Sequence, residues 1–201
     1  MTELYLIRHG EIEGEQPRRY NGHKDVDLTD NGRSQIRRLA YHLQDVTFSA
    51  IYASDLRRSV ESAEILAQNR GVQPISLSAL RERNFGLWEG LTFEEVDQRY
   101  PETFRSWAKN PLTHSPIGGE STLEARDRII PALENIILNH PNQTIAVVAH
   151  GGVNRIILCD ALAIPLHNIF RIEQDYAALN IIAYIHDYPT VRLMNFVAYD
   201  R

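Results

Sequence analysis

The sequence has little of several things, and each scarcity excludes a class of protein. It holds one cysteine, Cys159, so no disulfide can close within the chain. Cys159 follows Ile156-Ile157-Leu158 and reads as a packed residue rather than a reactive one. No apolar run approaches the roughly 20 residues of a membrane span. No basic segment precedes Leu4-Tyr5-Leu6-Ile7, so no signal peptide is expected. A cytoplasmic protein without a membrane partner is the expectation. No HExxH and no Cys/His ligand spacing occurs, so no metal site is expected. GxxxxGK(S/T) and GxGxxG are missing too, which leaves nucleotide-loop readings without support. The formal net charge of −5 argues against a nucleic-acid groove. Lysine is nearly absent: 19 of the 21 basic residues are arginine. Arginine binds phosphate and carboxylate through planar, bidentate bonds. An acidic, arginine-rich chain can therefore hold local phosphate sites without a polyanion-binding surface.

The length of 201 residues fits a single domain, 1–201, able to bury a core without staples. Apolar runs at Leu4–Ile7, Phe48–Ala53, Pro74–Leu77, Thr144–Ala149, Leu179–Ile185 and Val191–Val197 read as strands. Pro74 places its strand near an edge. Thr144–Ala149 is almost wholly apolar, as a strand buried on both faces should be. Between strands, helical spacing runs from Gly32 to about Asp45 with Thr29 as N-cap. A second helix follows Ser54-Asp55, which should cap it, and ends near Arg70-Gly71. Short helices are expected from Thr92 and from Pro101. Ser121 and Glu124 form a capping-box pattern opening a long helix to Asn139, which Pro131 should kink or divide. Val153–Leu162 is helical. The alternation predicts an α/β fold: a three-layer sandwich with a mostly parallel sheet, helices on both faces and a small helical lid over 83–120.

Two strands end in the same grammar. Leu4–Ile7 runs into Arg8-His9-Gly10, and Thr144–Ala149 into His150-Gly151-Gly152. In Arg8-His9-Gly10 the glycine allows a sharp turn or a close approach. In open parallel sheets, ligands bind beyond the carboxyl ends of strands. Both imidazoles would then emerge at one sheet edge, with a helix N-terminus suited to an anion. A third strand leads into a helix carrying Arg57-Arg58 in its first turn. Two histidines and at least two arginines would converge. Phosphoryl transfer needs such a set: guanidinium groups to orient the phosphoryl oxygens and a neutral imidazole to attack phosphorus. A carboxylic acid must then protonate the leaving oxygen. No cofactor is required.

Five ordered blocks resemble the histidine phosphatase superfamily, also called phosphoglycerate mutase-like. They are Leu6-Ile7-Arg8-His9-Gly10-Glu11, Ser54–Ser59, Arg81–Gly90, Gly118-Gly119-Glu120-Ser121 and Val148–Gly151, and they span nearly the whole chain. The resemblance implies His9 as nucleophile, Arg8 and Arg58 as phosphate ligands, Glu82 as general acid, His150 as second pocket histidine and Gly151 as its partner at the helix start. Glu89, in the acid block, reads as structural, and Arg57 as Arg58's exposed neighbour. The common pattern after Arg-His-Gly-Glu continues with Thr, and Asn three positions later. Here Ile12 and Glu15 stand instead, and Asn21 is the candidate for a neighbouring phosphate contact. Tyr20-Asn21-Gly22-His23, the acid block and Phe170–Gln174 look most like the α-ribazole phosphatase branch. The implied function is metal-independent hydrolysis of a small-molecule phosphomonoester, with mutase-type transfer or silent phospho-ligand binding as alternatives.

Overall fold

The structure, a computed structural model, describes residues 1–14, 17–185 and 188–199. Glu15 lies outside them, as do His186 and Asp187. Six strands form one sheet: β1 (Thr2–Arg8), β2 (Ala50–Ala53), β3 (Pro74–Ser76), β4 (Thr144–Ala149), β5 (Leu179–Ile185) and β6 (Tyr188–Phe196), in the order β3-β2-β4-β1-β5-β6. β1, β2, β3 and β4 pair in parallel, and β5 runs antiparallel to both its neighbours. β3, opened by Pro74, is an edge.

Alternation along the central strands sends apolar side chains to both faces. Leu4, Leu6, Ile145 and Val147 pack against α5 (Thr122–Asn139) and α6 (Gly151–Ala161). Ile7, Ile51, Ala146 and Val148 pack against α1 (Asp30–His42) and α2 (Arg57–Ala67). This is the expected α/β sandwich. The lid carries α3 (Phe93–Arg99) and α4 (Pro101–Lys109), which share a small core of Trp88, Val96 and Trp107 with Tyr20 of the first loop. No helix among the described residues is long and apolar enough to cross a membrane.

Three local expectations change. Pro131 does not divide α5, which runs unbroken through it. Pro131 and Asp127 are both exposed, so water can bond the Asp127 carbonyl that the proline leaves without its helical donor. Asp55 does not cap α2: it forms a bidentate pair with Arg81, at 2.7 and 2.6 Å. The cap comes from the first loop, where Asp25 accepts from Arg57 N at 2.8 Å. α2 also stops at Ala67, short of Gly71. Asn69 takes a left-handed φ of 61°, and the Arg70 guanidinium collects the carbonyls of Ala40, Leu43, Val46 and Leu66.

Gly10 is needed for closeness rather than for a turn. Its φ is not in the left-handed region. A Cβ there would stand 2.3 Å from Gly32 O, and one on Gly32 would stand 2.1 Å from Glu11 O. The strand end that carries His9 is thus packed backbone to backbone against the first turn of α1. Gly32→Ala must push that backbone apart. We expect a loss of about 3 kcal/mol or more, the upper end for overpacking. A lowered urea midpoint at unchanged m-value would show it.

Candidate active site

The register of β1 and β4 places the site. Arg8 is opposite Ala149, and His9 N donates to Ala149 O at 3.0 Å, so His9 and His150 leave the sheet side by side. Their ring centroids are 5.1 Å apart. His9 Nδ1 is 2.7 Å from Gly10 O. A carbonyl only accepts, so Nδ1 carries the proton and Nε2 keeps its lone pair. His150 has the opposite tautomer. Its Nδ1 accepts from Arg58 Nε at 3.3 Å, which leaves the proton on Nε2. That nitrogen is buried and has no partner. Burial, then the charges of Arg58 and Arg8, hold the His9 pKa well below the ordinary imidazole value. Burial and Arg58 do the same for His150.

Arg58, 2% exposed, also donates to Gly22 O at 2.7 Å and Lys24 O at 2.9 Å, fixing the first loop over α2. Arg57, its neighbour, is exposed and pairs with Asp27. Arg8 is held by the segment between the last helix and β5: its Nη1 donates to Gln174 O at 2.6 Å and its guanidinium lies 3.8 Å over the Tyr176 ring. Gln174 is fixed in turn by a reciprocal amide pair with buried Asn180, at 2.9 and 2.8 Å. Glu82 accepts from Arg83 N at 2.8 Å and from Gly152 N at 2.9 Å. One free N–H of the first turn of α6, that of Gly152, is thus met by the Glu82 carboxyl group. A Cβ on Gly152 would meet Glu82 Oε1 at 2.3 Å, so glycine is what admits the carboxylate.

Arg8, His9, Asn21, Arg58, Glu82 and Gly151 all line one cavity of about 410 Å³. His150 is wholly buried just behind His9, not on the cavity surface. Glu89 serves structure: its Oε1 accepts from His23 N and Phe85 N, tying the first loop to the lid. Ile12 is buried on the cavity wall and bridges to Leu28. Among the described residues no group of three or more His, Cys, Asp or Glu side chains could hold a metal ion.

Arg83, Arg155 and Tyr176 also line the cavity, and sequence reasoning passed over all three. Arg155 had a signal, since it lies four residues beyond Gly151 on the same helical face. Tyr176 had none: only the long-range return of its segment to His9, with Ala177 N on His9 O at 3.1 Å, brings it near.

The two histidines make stability depend on pH. Unfolded, they titrate near about 6.5; folded, their pKa values lie lower. The unfolded chain then binds more protons in that interval, so their contribution is complete above about pH 6.5 and is lost as the pH falls below it. We expect the Tm to drop between pH 7 and 5. His150→Asn should flatten the decline, and an unchanged slope would refute the assignment.

The chain matches the family model described as histidine phosphatase superfamily (branch 1) over residues 4–197. It is 34% identical to phosphoserine phosphatase 1 of Hydrogenobacter thermophilus, over 90% of this chain and 86% of that protein. It resembles the solved structure of Bacillus stearothermophilus YhfR with a TM-score of 0.92 and 31% identity, covering 98% of each chain. The α-ribazole phosphatase of Shigella flexneri has the same fold, with a TM-score of 0.91 at 24% identity over 99% of this chain and 100% of that one. With the paired histidines at adjacent strand ends and this match across almost its whole length, the chain belongs to the histidine phosphatase superfamily, branch 1.

Proposed function

We propose that the chain hydrolyses small-molecule phosphomonoesters through a phosphohistidine on His9. The observation that carries this reading is the opposed tautomers of His9 and His150. One offers a lone pair and the other a spare N–H, and Arg58 contacts the second while Arg8 flanks the first. The phosphoryl group seats between Arg8 and Arg58, with Asn21 and the Gly151 backbone beside it. His9 Nε2 attacks phosphorus, the P–O ester bond breaks, and Glu82 gives its proton to the leaving oxygen. Each Glu82 oxygen accepts one backbone N–H and keeps a second lone pair, on which that proton is carried. His150, behind His9, donates Nε2–H to a phosphoryl oxygen once the group has seated. Water then attacks the phosphohistidine. Glu82 takes the water's proton, the N–P bond breaks, and inorganic phosphate leaves with His9 and protonated Glu82 restored.

Two substrate classes come forward from the relatives. The likeness to the α-ribazole phosphatase branch suggests α-ribazole 5′-phosphate, and the relative named for phosphoserine suggests an amino-acid ester.

The purified protein should release phosphate from p-nitrophenyl phosphate without added metal. His9→Ala should lower kcat by at least about 10³-fold, the order expected when a nucleophile is removed. Glu82→Gln should lower it about 10²–10⁴-fold, the range for general acid–base catalysis. Brief incubation with labelled ester should leave an acid-labile phosphoprotein in the wild type but not in His9→Ala. Absence of both phosphate release and phosphoprotein would refute the reading. Label retained in an isomeric ester would mark a mutase instead.

A further inference from the structure

Ala177, buried beside His9, has a strained backbone. Its φ of 55° lies in the left-handed region, which alanine rarely adopts and which glycine or asparagine fills at the third position of many turns. Ala177 stands at that position: Ala178 N donates to Asp175 O at 3.2 Å, closing a four-residue turn just ahead of β5. Three residues of the turn are tied to the body of the protein. Asp175 N donates to Asn195 Oδ1 at 2.8 Å, and Asn195 Nδ2 returns a bond to the Asp175 carboxylate at 2.8 Å. Ala177 N donates to His9 O at 3.1 Å, and Ala178 O accepts from Arg8 N at 3.0 Å. The fourth residue, Tyr176, sends its side chain into the cavity.

There two groups of the phosphoryl site share its ring. The Arg8 guanidinium lies 3.8 Å over the ring centre, closer than any other cation–ring contact among the described residues. The His9 imidazole stands 5.7 Å from the same ring, tilted by 47°. Backbone strain of this kind persists only where surrounding bonds over-determine it, and it gathers at functional sites. The hydrolysis described above uses no atom of Tyr176, so what the strained turn delivers is a surface. We propose that Tyr176 is a positioning residue: its ring face sets the plane of the Arg8 guanidinium beside His9 and thereby how tightly a phosphoryl group is held. The inference rests on the phosphatase reading of the site. The donors of a guanidinium lie in its plane, so a tilt of that plane spoils their aim at phosphoryl oxygens. The bond from Nη1 to Gln174 O fixes one corner of the plane, and the ring beneath fixes its tilt.

The test measures the dissociation constant of inorganic phosphate and kcat/KM for p-nitrophenyl phosphate. Tyr176→Phe keeps the ring and loses only the hydroxyl, and should stay within about 3-fold of the wild type in both. Tyr176→Leu fills space without a π face, and should weaken both by about 5- to 30-fold, the range of a desolvated cation–π contact. In the Arg8→Met background, Tyr176→Leu should cost no more than about 2-fold in phosphate affinity, because the ring has no cation left to hold. Thermal melts of every variant report folding separately. An equal loss in Tyr176→Phe and Tyr176→Leu would assign the effect to the hydroxyl. A full loss in the Arg8→Met background would make the ring act independently of Arg8. An unchanged phosphate affinity in Tyr176→Leu, whatever its Tm, would leave the ring a packing role alone. Each of these three results overturns the inference. A wild type that binds phosphate with this dependence on Tyr176 and Arg8, yet releases none from any ester, would keep the inference and overturn the phosphatase reading.

Discussion

One buried guanidinium holds the site together. Arg58 rises from the first turn of α2 into a place with 2% exposure, where a charge is tolerated only if its donors are met. They are met by three acceptors from two separate parts of the chain: Gly22 O and Lys24 O in the first loop, and Nδ1 of His150 at the end of β4. The bond to His150 fixes its tautomer, and burial, reinforced by the nearby charge, holds both imidazole pKa values well below the ordinary value. The bonds to the loop clamp a stretch that composition alone marks only as long and polar. On its other side Gly22 meets Glu89, whose oxygen would be 2.3 Å from a Cβ there, and its φ of +44° also demands glycine. Asp25 in the same loop caps α2, returning the support.

Arg8 and Glu82 are placed by the same logic from other directions. Arg8 is oriented by a carbonyl and an aromatic ring of one segment, and that segment is fixed by the buried amides of Gln174 and of Asn180 on β5. Gln174 and Asn180 exchange two hydrogen bonds, Asn180 also donates to Leu6 O, and Asn195 N donates to Asn180. A reciprocal, fully satisfied amide pair holds its geometry because any shift breaks two bonds in a low-dielectric setting. Glu82 is oriented by two backbone donors, one beside it in sequence and one at the start of α6. A phosphoryl group entering here meets partners whose positions were settled by folding.

How much of this could be read from sequence depended on the range of the contact. The strand ends were legible because an apolar run followed by His-Gly is local, and parallel pairing of two such runs follows from their burial. The placement of His9, His150, Arg8 and Arg58 in one region came with it. Glu82, Asn21 and Gly151 came from the family resemblance, and all three line the same cavity. Which of its two readings Gly10 takes, a turn or a close approach, is set by Gly32, twenty-two residues on, which no local pattern reports. That Pro131 leaves α5 undivided was not legible, because the penalty for a proline in a helix depends on whether its orphaned carbonyl reaches water, and the exposed face of α5 provides that. Tyr176 and Gln174 belong to an irregular segment whose meaning appears only when it folds back on Arg8.

The charge balance of the cavity ties these pieces to what the protein can bind. Among the described residues six arginines line it, Arg8, Arg18, Arg19, Arg58, Arg83 and Arg155, against the one carboxylate of Glu82. Of the six, Arg19 has its own salt bridge to Glu95, at 3.0 Å. The rest generate a positive potential in a partly closed space, where field lines are focused by low-dielectric walls. A phosphomonoester dianion beside Arg8 and Arg58 relieves that potential at the strand-end wall. The guanidinium of Arg83 is packed against the Phe85 and Trp107 rings of the lid. Replacing Ile12 by the more usual threonine would add a hydroxyl to the phosphoryl side and leave this excess untouched. Positive charge is spread over the strand ends, the first loop, the lid and α6, so the potential favours an anion throughout the cavity rather than at one wall.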